Sequence, residues 1–201
     1  MHSGETAVKN TRAPGQQPES PIQAALSGWN LSWSGLINNS QGEWWFVAQM
    51  LLIIAVIVSP AWPILERPFW ISQSRWAFQM IGWLHLGAGL ALAVAAFKTL
   101  GGNLSPLPDP KPGIHLVTAG PYRICRHPMY LAVLLCALGV LILRLSALHA
   151  LLALTLAVIL RGKAKREEQG LLLADRTYGQ IFANTPGIAP WVPGLNWRLK
   201  P

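Results

Sequence analysis

The stretch GPYRICRHPMYL, Gly120 to Leu131, sets Arg123, Arg126 and His127 beside Pro121 and Pro128, with Tyr122 and Tyr130 close by. A long apolar run starts at once afterwards. Further along, Glu167 and Glu168 stand side by side in RGKAKREEQGLLLADRTYG, in a chain with only 8 acidic residues. Arginine offers a rigid fork of charged donors, histidine two ring nitrogens and an ionised glutamate only acceptors. Brought together, they make a polar site at the membrane surface. Left apart, they are a proline turn flanked by membrane-edge arginines and a solvated charge cluster. Adjacent helical residues point about 100° apart, so one glutamate faces a given pocket, and Glu168 is expected to be the one more sensitive to substitution. The other is expected to pair with Lys163, Lys165 or Arg166 at helical spacing. Charge alone does not choose between the two readings.

The elements that must position these residues follow from composition. Hydrophobic residues make up 52% of the 201 and charged ones only 12%. Soluble domains carry about 25% charged residues, so the sequence predicts an all-α, multi-pass integral membrane protein with about four transmembrane segments. Apolar segments run from Trp44 to Val58, Trp76 to Leu100, Tyr130 to Leu143 and Ser146 to Leu160. The second is long enough for a hydrocarbon core of about 30 Å, whereas the third is short for a span. The third and fourth, joined at RLS, are expected to form a tight C-terminal helical hairpin. SPAWP is expected to break or kink the first near Pro60 and Pro63. Residues 1–42 read as a disordered polar tail, 43–190 as the membrane domain, and 191–201 as a C-terminal tail whose Trp191 and Trp197 rest against the membrane.

The formal charge is +8, a sign that cytoplasmic loops of membrane proteins share. No basic helix with interleaved aromatics is present, so nucleic acid is not an expected partner. Placing both termini and the 101–129 loop on one side leaves 13 of the 16 Lys and Arg there. Only Arg67, Arg75 and Arg144 fall on the other side, which predicts cytoplasmic termini and a cytoplasmic site. Cys125 and Cys136 lack metal-ligand spacing, so neither a metal site nor a disulfide is expected. Gly87 to Gly89, within an apolar helix, read as close helix packing. His85 is an intramembrane suspect that can also bond backbone, and His149 is expected at the interface.

LVTAGPYRICRHPMYL followed by EEQGL resembles the isoprenylcysteine carboxyl methyltransferase family, a relative of the membrane phospholipid N-methyltransferases. Leu116, Gly120, Tyr122, Arg126, His127, Pro128, Tyr130, Glu167, Glu168 and Leu171 fall in register with the family pattern. LGGNLSP likewise matches its Leu-Gly-x-Asn approach through Leu100, Gly101 and Asn103. The likeness covers about residues 76–190. Ile114 stands where the family often has a histidine, with His115 one position late. Ala132, Asp175 and Gly187 replace its usual Gly, Phe and Arg.

The resemblance implies an S-adenosylmethionine-dependent methyltransferase. Its cofactor site would draw on His115, Leu116, Tyr122, Arg126, His127, Tyr130, Glu167 and Glu168, with no metal and no side chain singled out as catalytic. Methyl transfer from a sulfonium to a carboxylate needs little acid or base, so rate comes from alignment and exclusion of water. Arg126 and His127 suit the cofactor's carboxylate, a glutamate its ammonium or ribose hydroxyls, and the tyrosines its adenine. A lipidic or isoprenoid acceptor, such as the carboxylate of a prenylated cysteine, would enter sideways from the bilayer. The altered acceptor end keeps a non-catalytic membrane subunit or maturation factor open. A membrane reductase using a nicotinamide cofactor is the third reading.

Overall fold

The computed structural model describes residues 33–62, 74–101, 105–109, 116–175 and 177–199. His115 and Asn103 therefore lie outside the described residues, as does most of the expected N-terminal tail. Among the described residues there are helices and turns and no strand. In chain order the helices are α1 (Trp33–Asn38), α2 (Glu43–Val58), α3 (Arg75–Leu100), α4 (Pro128–Arg144), α5 (Ala147–Ala174) and α6 (Thr177–Ile181), with a 3-10 turn at Gly120–Arg123 before α4. The chain is already helical at α1, inside the stretch expected to be an unstructured tail.

Local chemistry explains the helix ends. Glu43, in the first turn of α2, accepts from the Gln41 amide at 2.8 Å and the Ser40 hydroxyl at 3.2 Å. Its negative charge also suits the positive end of the helix dipole. Pro60 stops α2 as expected, since a residue before proline is pushed out of the helical region and Ser59 is extended. Pro128 opens α4 at a position where its missing N–H costs nothing. Leu145, at φ 47°, turns the chain sharply into α5. Ser146 is buried in that turn, where its hydroxyl accepts from the Trp62 amide at 2.9 Å and donates to the Trp62 carbonyl at 3.1 Å. The exit of α2 is thereby pinned to the turn between α4 and α5.

Helix α5 does not stop near Leu160. It runs 28 residues to Ala174, because Arg161 to Leu173 is a run of strong helix formers broken only by Gly162 and Gly170. α3 and α5 are long and apolar enough to cross a membrane; α2 and α4 are shorter apolar helices. At 16 and 17 residues these rise about 24–26 Å. Lipid tails are as apolar as leucine, so helices in a bilayer associate through close packing and small residues. The α3–α4 pair shows this: a side chain at Gly89 would meet Cys136 Sγ at 2.6 Å, and one at Gly139 would meet the Gly82 carbonyl at 2.8 Å. Gly87 has open space around it, so only one glycine of the GAG triplet serves contact.

A core formed by Val56, Cys125, Leu131, Leu156, Leu160 and Ile188 joins α2, α4 and α5 to the C-terminal segment. His85 bonds the Ile81 carbonyl at 2.8 Å and is half-buried. His149, expected at the interface, is instead buried in the first turn of α5. Helix α2 begins, α3 ends, α4 begins and the polar half of α5 emerges at one end of the bundle. The site is built there.

Candidate functional site

The motif loop is held by backbone before its side chains do anything. The Arg126 amide donates to the Pro186 carbonyl at 2.9 Å and the His127 amide to the Gly187 carbonyl at 3.1 Å. The C-terminal segment folds on itself behind them, with the Gly187 amide on the Trp197 carbonyl at 3.1 Å and Ile188 on Leu195 at 2.8 Å. Pro186, Gly187 and Trp197 thus pack against the motif. Trp197 packs within the site, against Arg126 and His127, while Trp191 is exposed.

Glu168 is the hub. Its Oε1 accepts from Arg126 Nε at 2.7 Å and from His127 Nε2 at 2.9 Å, and its Oε2 from Trp197 Nε1 at 2.8 Å. The remaining Arg126 nitrogens donate to the carbonyls of Thr185 and Trp197. The His127 ring stacks on Tyr130 with centroids 5.2 Å apart and planes 4° apart, and the Arg126 guanidinium lies over the Trp197 ring. A buried carboxylate with three donors, two of them on cationic or ionisable groups, is satisfied as buried charges must be.

Glu167 points elsewhere. Its Oε2 accepts from the Tyr130 hydroxyl at 2.8 Å and stands 3.7 Å from His127 Nδ1. It lines a cavity of about 380 Å³, together with Leu116, Tyr122, Arg126, His127 and Tyr130. Glu168 lies behind that wall. Ligand pockets start at about 300 Å³, so the cavity admits a molecule of nucleoside size. Leu116 also packs on Leu171, Tyr178 and Phe182. Burial, reinforced by the Glu167 charge, pushes the Tyr122 phenol above its ordinary range, and burial does the same at Tyr178. Both therefore stay protonated donors. Cys125 does not line the cavity, and burial pushes its thiol up to about 11.

The expected helical ion pairs of the glutamates do not form among the described residues. Arg166 instead holds Asp109 through two bonds of 3.0 and 3.2 Å, fixing the 105–109 segment over the cavity. Lys163, expected only as a candidate helical partner of a glutamate, is 2% exposed. It lines the cavity beside Phe46, Gln49 and Met50 of α2. None of these α2 residues, nor Trp197, was signalled by sequence. Lys163 looked like one more charge in a basic cluster, and the others looked like membrane-facing or interfacial residues.

Residues 78–180 match the model of a family described as phospholipid methyltransferase. The Cobalt-zinc-cadmium resistance protein CzcN of Cupriavidus metallidurans is 37% identical over 76 residues, covering 37% of this chain and 35% of that protein. The chain thus matches about a third of the length of that curated relative. No solved structure matches.

Proposed function

The chain belongs to the phospholipid methyltransferase family, and on that premise we propose that it transfers a methyl group from S-adenosylmethionine to a lipidic or isoprenoid acceptor. The observation that carries the reading is Glu167: an acid bonded to Tyr130 and beside His127, facing a cavity that Arg126, His127 and Tyr130 also line. The residues present fit the cofactor. Glu167 suits the ammonium or the ribose hydroxyls, the rings of Tyr122, His127 and Tyr130 suit a flat base, and the Arg126–His127 edge suits the carboxylate. When bound, the cofactor supplies an electrophilic methyl group on a sulfonium. The protein's part is to align it, keep water out and hold the charges around it fixed. Glu168 fixes Arg126 and His127, and so preorganises that edge. His115, next to Leu116, completes the proposed set.

The isoprenylcysteine-type motif order supports an isoprenoid acceptor within the wider family, and the prenylated cysteine carboxylate is the acceptor we infer from it. Two membrane-length helices, two shorter apolar ones and the 13-to-3 distribution of Lys and Arg support a four-span protein with cytoplasmic termini and site. A second reading, a scaffold in metal resistance that transfers no methyl group, draws on the likeness to CzcN and on Gly187 standing in place of the resembled family's arginine.

Titration calorimetry of the purified protein with S-adenosylmethionine, its demethylated product and NADPH separates the readings. Binding of the first two and not NADPH is the expected result. NADPH binding alone would point to a reductase, and no binding of any to the scaffold reading.

A further inference from the structure

The cavity has a second polar end that the cofactor reading does not use. Lys163 precedes Glu167 by one turn of α5, which places it about 6 Å nearer the apolar half of that helix. Its Nζ donates to Gln49 Oε1 at 2.7 Å and lies 5.3 Å and 5.7 Å from the ring centres of Tyr130 and Phe46. Among the described residues no carboxylate lies within ion-pairing distance of it, and Glu167, on the next turn, is bonded to Tyr130. A buried ammonium without an anion is costly, and two aromatic faces and one neutral amide offset only part of that cost. The Glu167 charge reaches the ammonium only through space, and no described carboxylate bonds it directly.

We propose that Lys163 and Gln49 form the acceptor-head subsite and select an amphiphile ending in a carboxylate over one ending in an ammonium. The proposal rests on the methyl-transfer reading above. Gln49 accepts through its carbonyl oxygen, so its amide NH2 is the second donor for a carboxylate held by Lys163. The wall around the pair is apolar, with Phe46, Met50 and Val133. Met50 and Val47 are 37% and 38% exposed on the outer flank of α2, the side from which a lipid tail would enter. In the reaction a carboxylate oxygen forms the new bond to the methyl carbon, the carbon–sulfur bond breaks, and its electron pair stays on sulfur. No proton moves. The ester product is neutral, so the subsite loses its counter-charge and releases it. An ammonium head would meet like charge at Lys163, which disfavours it.

The test uses the full chain in phosphatidylcholine nanodiscs and three farnesyl thioethers with different heads: a carboxylate, its carboxamide and a primary ammonium. Probe binding is measured by equilibrium dialysis without cofactor, and S-adenosylmethionine affinity by calorimetry. The parent should bind the carboxylate at least about tenfold tighter than either other head, the size of one charge-assisted bond. Lys163→Met should bind all three alike while keeping cofactor affinity within about threefold and an undiminished melting temperature. Gln49→Leu, which keeps the charge, should retain part of the preference and serves if Lys163→Met fails to fold. Equal binding of the three heads by the parent overturns the proposal. So does a Lys163→Met variant whose cofactor affinity falls tenfold, since the lysine would then grip the cofactor. If the parent binds no S-adenosylmethionine, the methyl-transfer reading falls, whereas head preference is still decided by dialysis.

Discussion

Arg126 Nε lies 2.7 Å from Glu168 Oε1, and the two side chains are 1% and 4% exposed. Their partners lie on α5 and on the C-terminal segment, so one ion pair ties three parts of the chain together. Breaking such a pair by removing one member leaves the other buried and uncompensated, at a cost of about 3–5 kcal/mol. Arg126→Ala should therefore lower the melting temperature sharply, beyond any effect on ligand. Replacing both members, Arg126→Met with Glu168→Leu, should recover most of that loss. Thermal unfolding in detergent checks both, and a single variant that melts like the parent removes the pair from the scaffold.

The two adjacent glutamates should fail differently. Glu168→Gln weakens three bonds in the closed interior and should be read first as lost stability. Glu167→Gln touches one bond, to Tyr130, at a half-buried position facing the cavity. It should melt within a few degrees of the parent yet weaken S-adenosylmethionine binding by about 1.5–3 kcal/mol, the range for a hydrogen bond to a charged group. Calorimetry beside a melting curve separates them. Equal behaviour of the two variants would count against the asymmetric placement.

Much of this site was legible because its residues are crowded into two short stretches. Arg126, His127 and Tyr130 are fixed by a proline turn, and Glu167 and Glu168 sit at the polar end of an apolar helix. That the acids would meet the motif followed from the path of the chain. Which of them faces the cavity did not, because the answer depends on the rotation of α5: Glu168 was the expected one, and Glu167 lines the cavity. Trp197 was invisible for a different reason: it reaches the motif through backbone bonds between Gly187 and Trp197 that no local pattern encodes. Lys163 shares its composition with Lys165 and Arg166, and only packing against Gln49 and Phe46 distinguishes it. The length of α5 was underestimated because hydropathy ends at Leu160 while helix propensity does not.

Gly87 and Gly89 offer a controlled comparison on one helix. A side chain at Gly89 would press on Cys136 Sγ at 2.6 Å and on the Ala132 carbonyl at 2.8 Å, whereas Gly87 faces open space. Gly87→Leu should be tolerated in folding yield and melting temperature. Gly89→Leu should separate α3 from α4 and cost about 1–3 kcal/mol or more, as overpacking does. Loss of folded protein in both, or in neither, would contradict the helix contact.

Orientation is tested by labelling single cysteines in a background with Cys125 and Cys136 replaced by Ala. Cysteine at Ser72 should react with an impermeant maleimide in intact cells, and cysteine at Gly15 or Asn196 only after lysis. The reverse pattern would place the site outside. In the unsubstituted parent, Cys125 gives a separate check. Its thiol is raised to about 11, so at pH 8 only about one thiol in a thousand is thiolate, and it should label only on unfolding.

The last prediction concerns Gly187, which stands in place of the arginine of the resembled family. A Cβ at Gly187 would lie 2.7 Å from three carbons of the Trp197 indole, so the glycine makes room for the ring that donates to Glu168 at 2.8 Å. The two positions should behave as a unit. Gly187→Ala should push the indole away, weaken its bond to Glu168 and cost about 1–3 kcal/mol. Trp197→Leu removes the ring and the donor, leaving Glu168 with one partner fewer in a buried site, at about 1–3 kcal/mol. The double variant should lose less than the sum, because the indole that crowds the added methyl is gone. A double-mutant cycle on thermal stability gives the coupling, expected at 0.5 kcal/mol or more for groups in contact. Strict additivity would mean that Gly187 and Trp197 act independently and that the glycine's place opposite the indole is incidental.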